Sequence, residues 1–197
     1  KPEICPSCDS PHIGGFKAGT QQIEKVIEKE FPKARVLRMD FDTTRTKDSY
    51  EKILDSFAKH EADILVGTQM IVKGHDFPDV TLVGVIAADL SLNMDDYHCG
   101  ERTFQLLTQA VGRSGRGNRP GQAVIQTYQP EHYSIQAAAI QDYEKFYKEE
   151  MGYRMLLDYP PAAHMMTVFG ACQDEELLKN AMYYIEVFIR RVSPKEE

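Results

Sequence analysis

Between residues 13 and 128 short β-branched runs alternate with windows of helical period, and this alternation constrains the fold of the 197-residue chain more than any other feature. An order of that kind gives an α/β domain with a mainly parallel sheet, because every return from one strand to the next contains a helix's worth of residues. The candidate strands are 36–39, 64–68, 82–87 and 123–127, most of them apolar enough for a sheet covered on both faces. A glycine-rich run at 13–17 is a further candidate. Helices are expected over 21–30, with Ile23, Val26 and Ile27 on one face, and over 49–59, with Ile53, Leu54 and Phe57 on one face. A third begins near Cys99 and runs through Leu106, Leu107 and Ala110, before Gly112, Gly115 and Gly117 loosen the chain.

After residue 128 the character changes. Ile135, Ala139, Tyr143, Phe146 and Met151 recur at helical spacing until Pro160 and Pro161. Residues 165–171 read as a strand, and 175–192 as a helix with Leu177, Ala181, Ile185 and Phe188 on one stripe. One strand and one helix make half a motif, so residues 129–197 are expected to be a helical linker and the start of a further, truncated α+β domain. The chain reads as a piece of something longer.

Apolar residues make up 42% and charged residues 27%, an ordinary globular balance that excludes a disordered chain. No apolar run is long enough to cross a bilayer, so no membrane partner is expected. Twenty-three basic against 30 acidic residues give a net charge of −7, which excludes a diffuse basic surface for nucleic acid. The acidity is uneven, with 7 basic and 12 acidic residues beyond position 128, while 110–121 holds three arginines and no acid. Four cysteines and no signal-like segment argue against a secreted disulfide framework and for a cytoplasmic location.

The most specific stretch is QAVGRSGR at 109–116. Two arginines three residues apart, with glycines between them, set two guanidinium forks on a backbone that can approach a polyphosphate; arginine binds phosphate oxygens in pairs and never loses its charge. The alternative is a solvated basic loop after a helix, favoured there by the dipole. Cys5-Pro6-Ser7-Cys8 is a knuckle able to give two of four thiolates to zinc, with His12 a possible third ligand and a redox pair the competing reading. No phosphate-cradling G-x-x-x-x-G-K-[ST] loop occurs. Asp174-Glu175 reads as a helix N-terminus rather than a magnesium site.

QAVGRSGR resembles motif VI of superfamily 2 helicases, and ILVGTQMIVKGHDFPDVTL at 64–82 resembles their motif V. Together with ADLSLNMDDYHCGERTFQLLTQ and the CPSC leader, these segments resemble the PriA family of primosomal replication-restart helicases. The resemblance implies a RecA-like second helicase lobe, a parallel sheet flanked by helices, over 13–128, preceded by the remnant of a zinc-binding insertion at 1–12. It implies an ATP-dependent 3′-to-5′ DNA helicase that restarts stalled forks and assembles the primosome, with ATP and Mg²⁺ held mainly by a first lobe outside this chain.

By the same resemblance Arg113 and Arg116 act on the γ-phosphate as arginine fingers, while Gln109, Gly112, Gly74 and Asp76 face the nucleotide. Asp76 as a turn-capping residue is the other reading. Gly67, Thr68 and Gln69 lie where the family meets the DNA backbone, as do Lys73 and His75, which on a plainer reading face solvent. Gly19-Thr20-Gln21 resembles a Gly-Thr-Glu helix start whose free N–H groups suit a strand phosphate, and is otherwise a plain N-cap. The Asp40–Thr44 stretch, DFDTT, resembles a further family segment without an assigned role. Cys5 and Cys8 become half of a Zn²⁺ site. The implied partners are forked or single-stranded DNA, the first lobe, and primosome and single-strand-binding proteins. Two alternatives stand beside this: another superfamily 2 helicase lobe, RecG-like or RNA-directed, and a non-catalytic zinc-ribbon interaction module.

Overall fold

The computed structural model describes residues 4, 6, 8, 9, 19–45, 47–72, 77–115 and 120–193. The strand expected at 13–17 therefore lies outside the described residues. The chain divides into two compact units, residues 1–150 and 151–197.

In the first unit helix α1 (Thr20–Glu30) leads to strand β1 (Val36–Met39), helix α2 (Lys47–Ala58) and strand β2 (Ile64–Gly67). A 3₁₀ turn (Gln69–Val72) follows, then β3 (Leu82–Val85), a short helix α3 (Asp89–Leu92), α4 (Cys99–Val111), β4 (Gln122–Ile125), α5 (Tyr133–Ala139) and α6 (Tyr143–Leu156), of which residues 143–150 belong to this unit. The four expected strands are present, each beginning within one residue of its expected start. All the pairing is parallel, in two pairs: β1 with β2, Val36 opposite Ile64, and β3 with β4, Leu82 opposite Gln122. Parallel neighbours need a crossover, which α2 and α4 provide.

The first register is held at its open end by Arg35 and Asp63, the residues just before the two strands. The Arg35 guanidinium donates to both Asp63 oxygens at 3.0 and 2.8 Å, and the Arg35 backbone N–H adds a third bond at 2.8 Å. These bonds hold the Asp63 carboxyl down at about 2. Inside the pair, α1 turns Ile23 and Ile27 toward β1 while Val26 stays exposed, so its apolar face is narrower than the sequence spacing suggests.

The core of this unit forms around α4. Gly100, Thr103, Phe104, Leu107 and Ala110 recur at helical spacing and are the buried face of that helix. Phe104 stacks on Phe146 of α6 with ring centres 4.1 Å apart and planes 9° apart. Ile135, Ala137 and Ala138 of α5 close the cluster, which also takes in Val85 and Ile125 from β3 and β4. Thus α5 and the first half of α6 pack with the α/β elements. Glycine at 100 lets them come close: a Cβ there would stand 2.5 Å from the Tyr133 hydroxyl and 3.0 Å from Glu150 Oε2. That hydroxyl donates to the buried Glu150 carboxylate at 2.7 Å, and burial, with the adjacent carboxylate, pushes the Tyr133 phenol well above its ordinary value.

A second buried carboxylate, Asp89, ties α3 to the chain leaving β4. It accepts from the Thr127 hydroxyl at 2.7 Å and from the Tyr128 N–H at 3.0 Å. Burial pushes its carboxyl up, but these donors outweigh burial and its pKa lies below the ordinary 3.8.

In the unit from 151 to 197, helix α7 (Glu175–Val192) is capped by Asp174, whose Oδ1 accepts from Leu177 N at 3.0 Å. The pair Asp174-Glu175 is thus the helix start expected from the sequence. Residues 165–171 form no strand. A strand requires a neighbour to take its N–H and C=O groups, and no described strand pairs with this stretch. Among the described residues no helix is long and apolar enough to cross a membrane.

Two outcomes follow from this packing. Phe104→Ala should lower the unfolding free energy by about 3–5 kcal/mol through loss of a buried ring, measured by urea denaturation. Asp89→Asn should cost about 1–3 kcal/mol at pH 7. Because the folded Asp89 pKa is depressed, its contribution is present above the unfolded value of about 3.9 and fades as pH falls through the folded one. The gap between wild type and Asp89→Asn should therefore narrow below about pH 4; a gap that widens in acid would contradict the assignment.

Candidate nucleotide and nucleic-acid site

Strand β2 ends at Gly67 because nothing larger fits. A Cβ there would overlap the Met39 carbonyl oxygen and lie 2.9 Å from Ile71 Cγ2. The chain then turns at once, with Ile71 N–H donating to Thr68 O at 3.2 Å, and leaves Thr68 and Gln69 exposed at the C-terminal end of the strand. This is the end of a parallel strand at which α/β folds receive ligands. The 3₁₀ turn packs against α4, so the segment resembling motif V is seated on the helix that leads to motif VI. Lys73, Gly74, His75 and Asp76 lie outside the described residues.

The chain resumes as a turn over Phe77–Val80, closed by Val80 N–H to Phe77 O at 3.1 Å. Phe57 of α2 meets Phe77 edge to face at 5.0 Å, and His60 Nε2 lies 3.3 Å from Asp79 Oδ2. The turn is therefore held from α2 on one side. On the other, Gly115 donates its N–H to Val80 O at 3.0 Å. Gly115 has φ +74°, the left-handed region that suits glycine.

The two-arginine loop begins where α4 stops. Gln109 is exposed on the last turn, and Gly112 closes the helix with its N–H to Thr108 O at 2.9 Å. A Cβ at Gly112 would be 3.1 Å from that same carbonyl, so this cap is tight. Arg113 is half-buried and its N–H donates to Ala110 O at 3.0 Å. Arg116 lies outside the described residues. Gln109, Gly112 and Arg113 thus lie on one end of α4, and Gly115 carries their loop to the Phe77–Val80 turn inside the motif V segment.

A third cluster joins the α1 N-terminus to β1. Gly19 is the N-cap, with extended backbone and no side-chain cap, and its carbonyl accepts from Gln22 N at 2.9 Å. Beside it the Thr20 hydroxyl donates to Asp40. Asp40 is buried and also accepts from Arg38 Nη1 at 2.7 Å and Thr43 N at 3.0 Å, while Arg38 Nε reaches Glu24 of α1 at 3.1 Å. The Thr20 bond is the largest cause of a lowered Asp40 pKa, with Thr43 and Arg38 adding to it against burial. The Thr20 hydroxyl proton is therefore already committed, and what this end of α1 offers a phosphate is backbone N–H. Asp40 belongs to the DFDTT stretch without an assigned role; a carboxylate directly after an apolar strand and three residues before a threonine was the available signal.

The cysteine knuckle is only half in view. Cys8 is exposed, and Cys5 lies outside the described residues. Among the described residues no group of three or more His, Cys, Asp or Glu side chains is placed to hold a metal ion.

The chain is similar to the replication restart protein PriA of Bacillus subtilis (strain 168), 51% identical over 181 residues that cover 92% of this chain and 22% of that protein. It is 44% identical to replication restart protein PriA of Synechocystis over 195 residues, 99% of this chain and 24% of the relative. The Thermotoga maritima protein of the same name is 36% identical over 188 residues, 95% of this chain and 25% of its own length. The chain therefore spans about a quarter of the length of these relatives. The model of the helicase conserved C-terminal domain matches residues 13–118, over half of the sequence and all of the segments resembling motifs V and VI, and by that match the chain belongs to the helicase conserved C-terminal domain family.

Proposed function

We propose that residues 13–128 of this chain are the second lobe of an ATP-driven 3′-to-5′ DNA helicase of the replication-restart type, which restarts stalled forks and assembles the primosome. The observation that supports the reading is the Gly115–Val80 bond, which fastens the two-arginine loop to the turn near the end of the motif V segment. Nucleotide-facing and DNA-facing segments joined in this way move together, as a motor lobe requires.

Gln109, Gly112, Gly74 and Asp76 form the nucleotide face, and Arg113 and Arg116 reach toward the γ-phosphate. ATP with Mg²⁺, held mainly by a first lobe, supplies the phosphoryl chemistry. The role of this chain is electrostatic: two guanidinium groups neutralise charge on the transferring phosphoryl oxygens. Thr68, Gln69, Lys73 and His75, with the backbone at Gly67, Gly19 and Thr20, hold the phosphates of a single strand. These contacts position the strand without reading its sequence. Lobe closure on ATP is then a population shift, since the nucleotide meets both lobes only when they are closed. Cys5 and Cys8 supply two thiolates of a Zn²⁺ site whose other ligands come from outside this chain. Forked DNA, the first lobe, primosome proteins and single-strand-binding protein are the proposed partners.

In a full-length protein carrying this lobe, Arg113→Ala and Arg116→Ala should each lower DNA-stimulated ATP hydrolysis by ~10³–10⁵-fold, with binding to a forked oligonucleotide, followed by fluorescence anisotropy, largely unchanged. Wild-type hydrolysis in both variants would sink the arginine assignment. The isolated 197-residue chain should show no DNA-stimulated ATPase activity; turnover that survives rigorous purification would contradict the need for a first lobe.

A further inference from the structure

The loop that carries the two arginines leaves α4 at Gly112 and rejoins the sheet at Gly121, one residue before β4. At its base the two limbs are in backbone contact. A Cβ on Gly115 would fall 2.5 Å from Gly121 N and 2.9 Å from Gly121 Cα. A Cβ on Gly121 would stand 2.6 Å from Gly115 Cα and overlap Gly115 N and the Ser114 carbonyl carbon. Every atom in the way is main chain, so none can swing aside as the tip of a side chain would. Gly115 is the described glycine with positive φ, so at Gly121 it is space, and not backbone conformation, that demands glycine.

Both limbs are also bonded to consecutive carbonyls ahead of β3. Gly115 N–H donates to Val80 O at 3.0 Å and Gln122 N–H to Thr81 O at 2.8 Å. The second bond continues directly into the β3–β4 ladder, whose first register pair is Leu82 with Gln122. With the next residue, Gln122, fixed in the ladder, a methyl group at position 121 meets only the Ser114–Gly115 limb, the limb that carries the bond to Val80.

We infer that Gly121 is a positioning residue for ATP hydrolysis: the absence of a side chain there seats the 112–115 limb on Val80 and so sets where Arg113, the arginine on that limb, is held. This rests on the reading of that arginine as a phosphate-facing group. A displacement of about 1 Å of a positioned catalytic group costs roughly 10²-fold in rate.

The test uses the full-length protein with Gly121→Ala, Arg113→Ala, Arg116→Ala and the double variant of Gly121→Ala with Arg113→Ala. Gly121→Ala should lower kcat for ATP by ~10²-fold while KM for ATP and affinity for forked DNA hold near wild type. In the Arg113→Ala background the same change should cost little further, since coupled residues are not additive. Wild-type kcat in Gly121→Ala, or an undiminished cost in the Arg113→Ala background, would overturn the inference. Where circular dichroism shows that Gly121→Ala does not fold, Gly115→Ala presses the same contact from the other limb, adds strain of its own at φ +74°, and should cost at least as much in kcat with the same dependence on Arg113. Wild-type kcat there, or loss of fold in both variants, would assign the contact to stability alone and overturn the proposal. Should the two arginine variants keep wild-type kcat, the reading of the arginines fails; should they lose activity while Gly121→Ala keeps it, only the role of Gly121 fails.

Discussion

One backbone hydrogen bond, from Gly115 N–H to Val80 O, joins the loop after α4 to the turn ahead of β3, the two segments on which the proposed function rests. Its own strength is modest, on the order of 1 kcal/mol. Its importance lies in what it joins. Val80 ends the turn held by Phe57 of α2 and by His60 just beyond that helix, and Gly115 ends the turn that begins at the C-terminus of α4. The two crossover helices of the domain are thus linked through one main-chain contact at the start of β3. A parallel sheet leaves such a link to loops, because its helices lie on its faces and its strands cannot be joined by tight hairpins.

Buried carboxylates do the corresponding work elsewhere in this unit. Asp40 gathers Thr20, Arg38 and Thr43 at the end of β1, and Asp89 gathers Thr127 and Tyr128 beyond β4. Each stays ionised because local donors offset the cost of taking it from water. In both cases the acceptor sits just past a strand, where the chain turns and backbone N–H groups lack ladder partners. The net charge of −7 therefore overstates the free negative surface, since these acids are turned inward on their own donors.

The strands and long helices were legible because their signal is local. Four β-branched runs and the helix from Cys99 through Leu107 to Ala110 declare themselves by spacing; the structure shifts their ends, leaves Val26 exposed, and breaks the helical stretch through Ile135 and Phe146 into α5 and α6. Residues 165–171 show the limit of that signal: the composition suits a strand, but a strand exists only with a neighbour, and local pattern cannot supply one. Asp40 was hidden for a related reason. Acidic residues after strands are common in turns, and what distinguishes this one is a hydroxyl twenty residues earlier in the chain. Among the site residues, Gly67 and Gly112 are where a tight approach is needed, as a Gly-Thr pair and a helix-ending glycine suggest. Gly121 carried no such signal, because the atoms it must avoid belong to a loop returning from six residues away.

The most direct test of the account is amide hydrogen exchange at Gly115. A loop amide without a partner exchanges at close to the unfolded-chain rate, whereas one bonded within the structure waits for local opening. The account predicts protection at Gly115 comparable to that of Gln122 at the head of the β3–β4 ladder; exchange at the unprotected rate, with the Gln122 amide still protected, would contradict it.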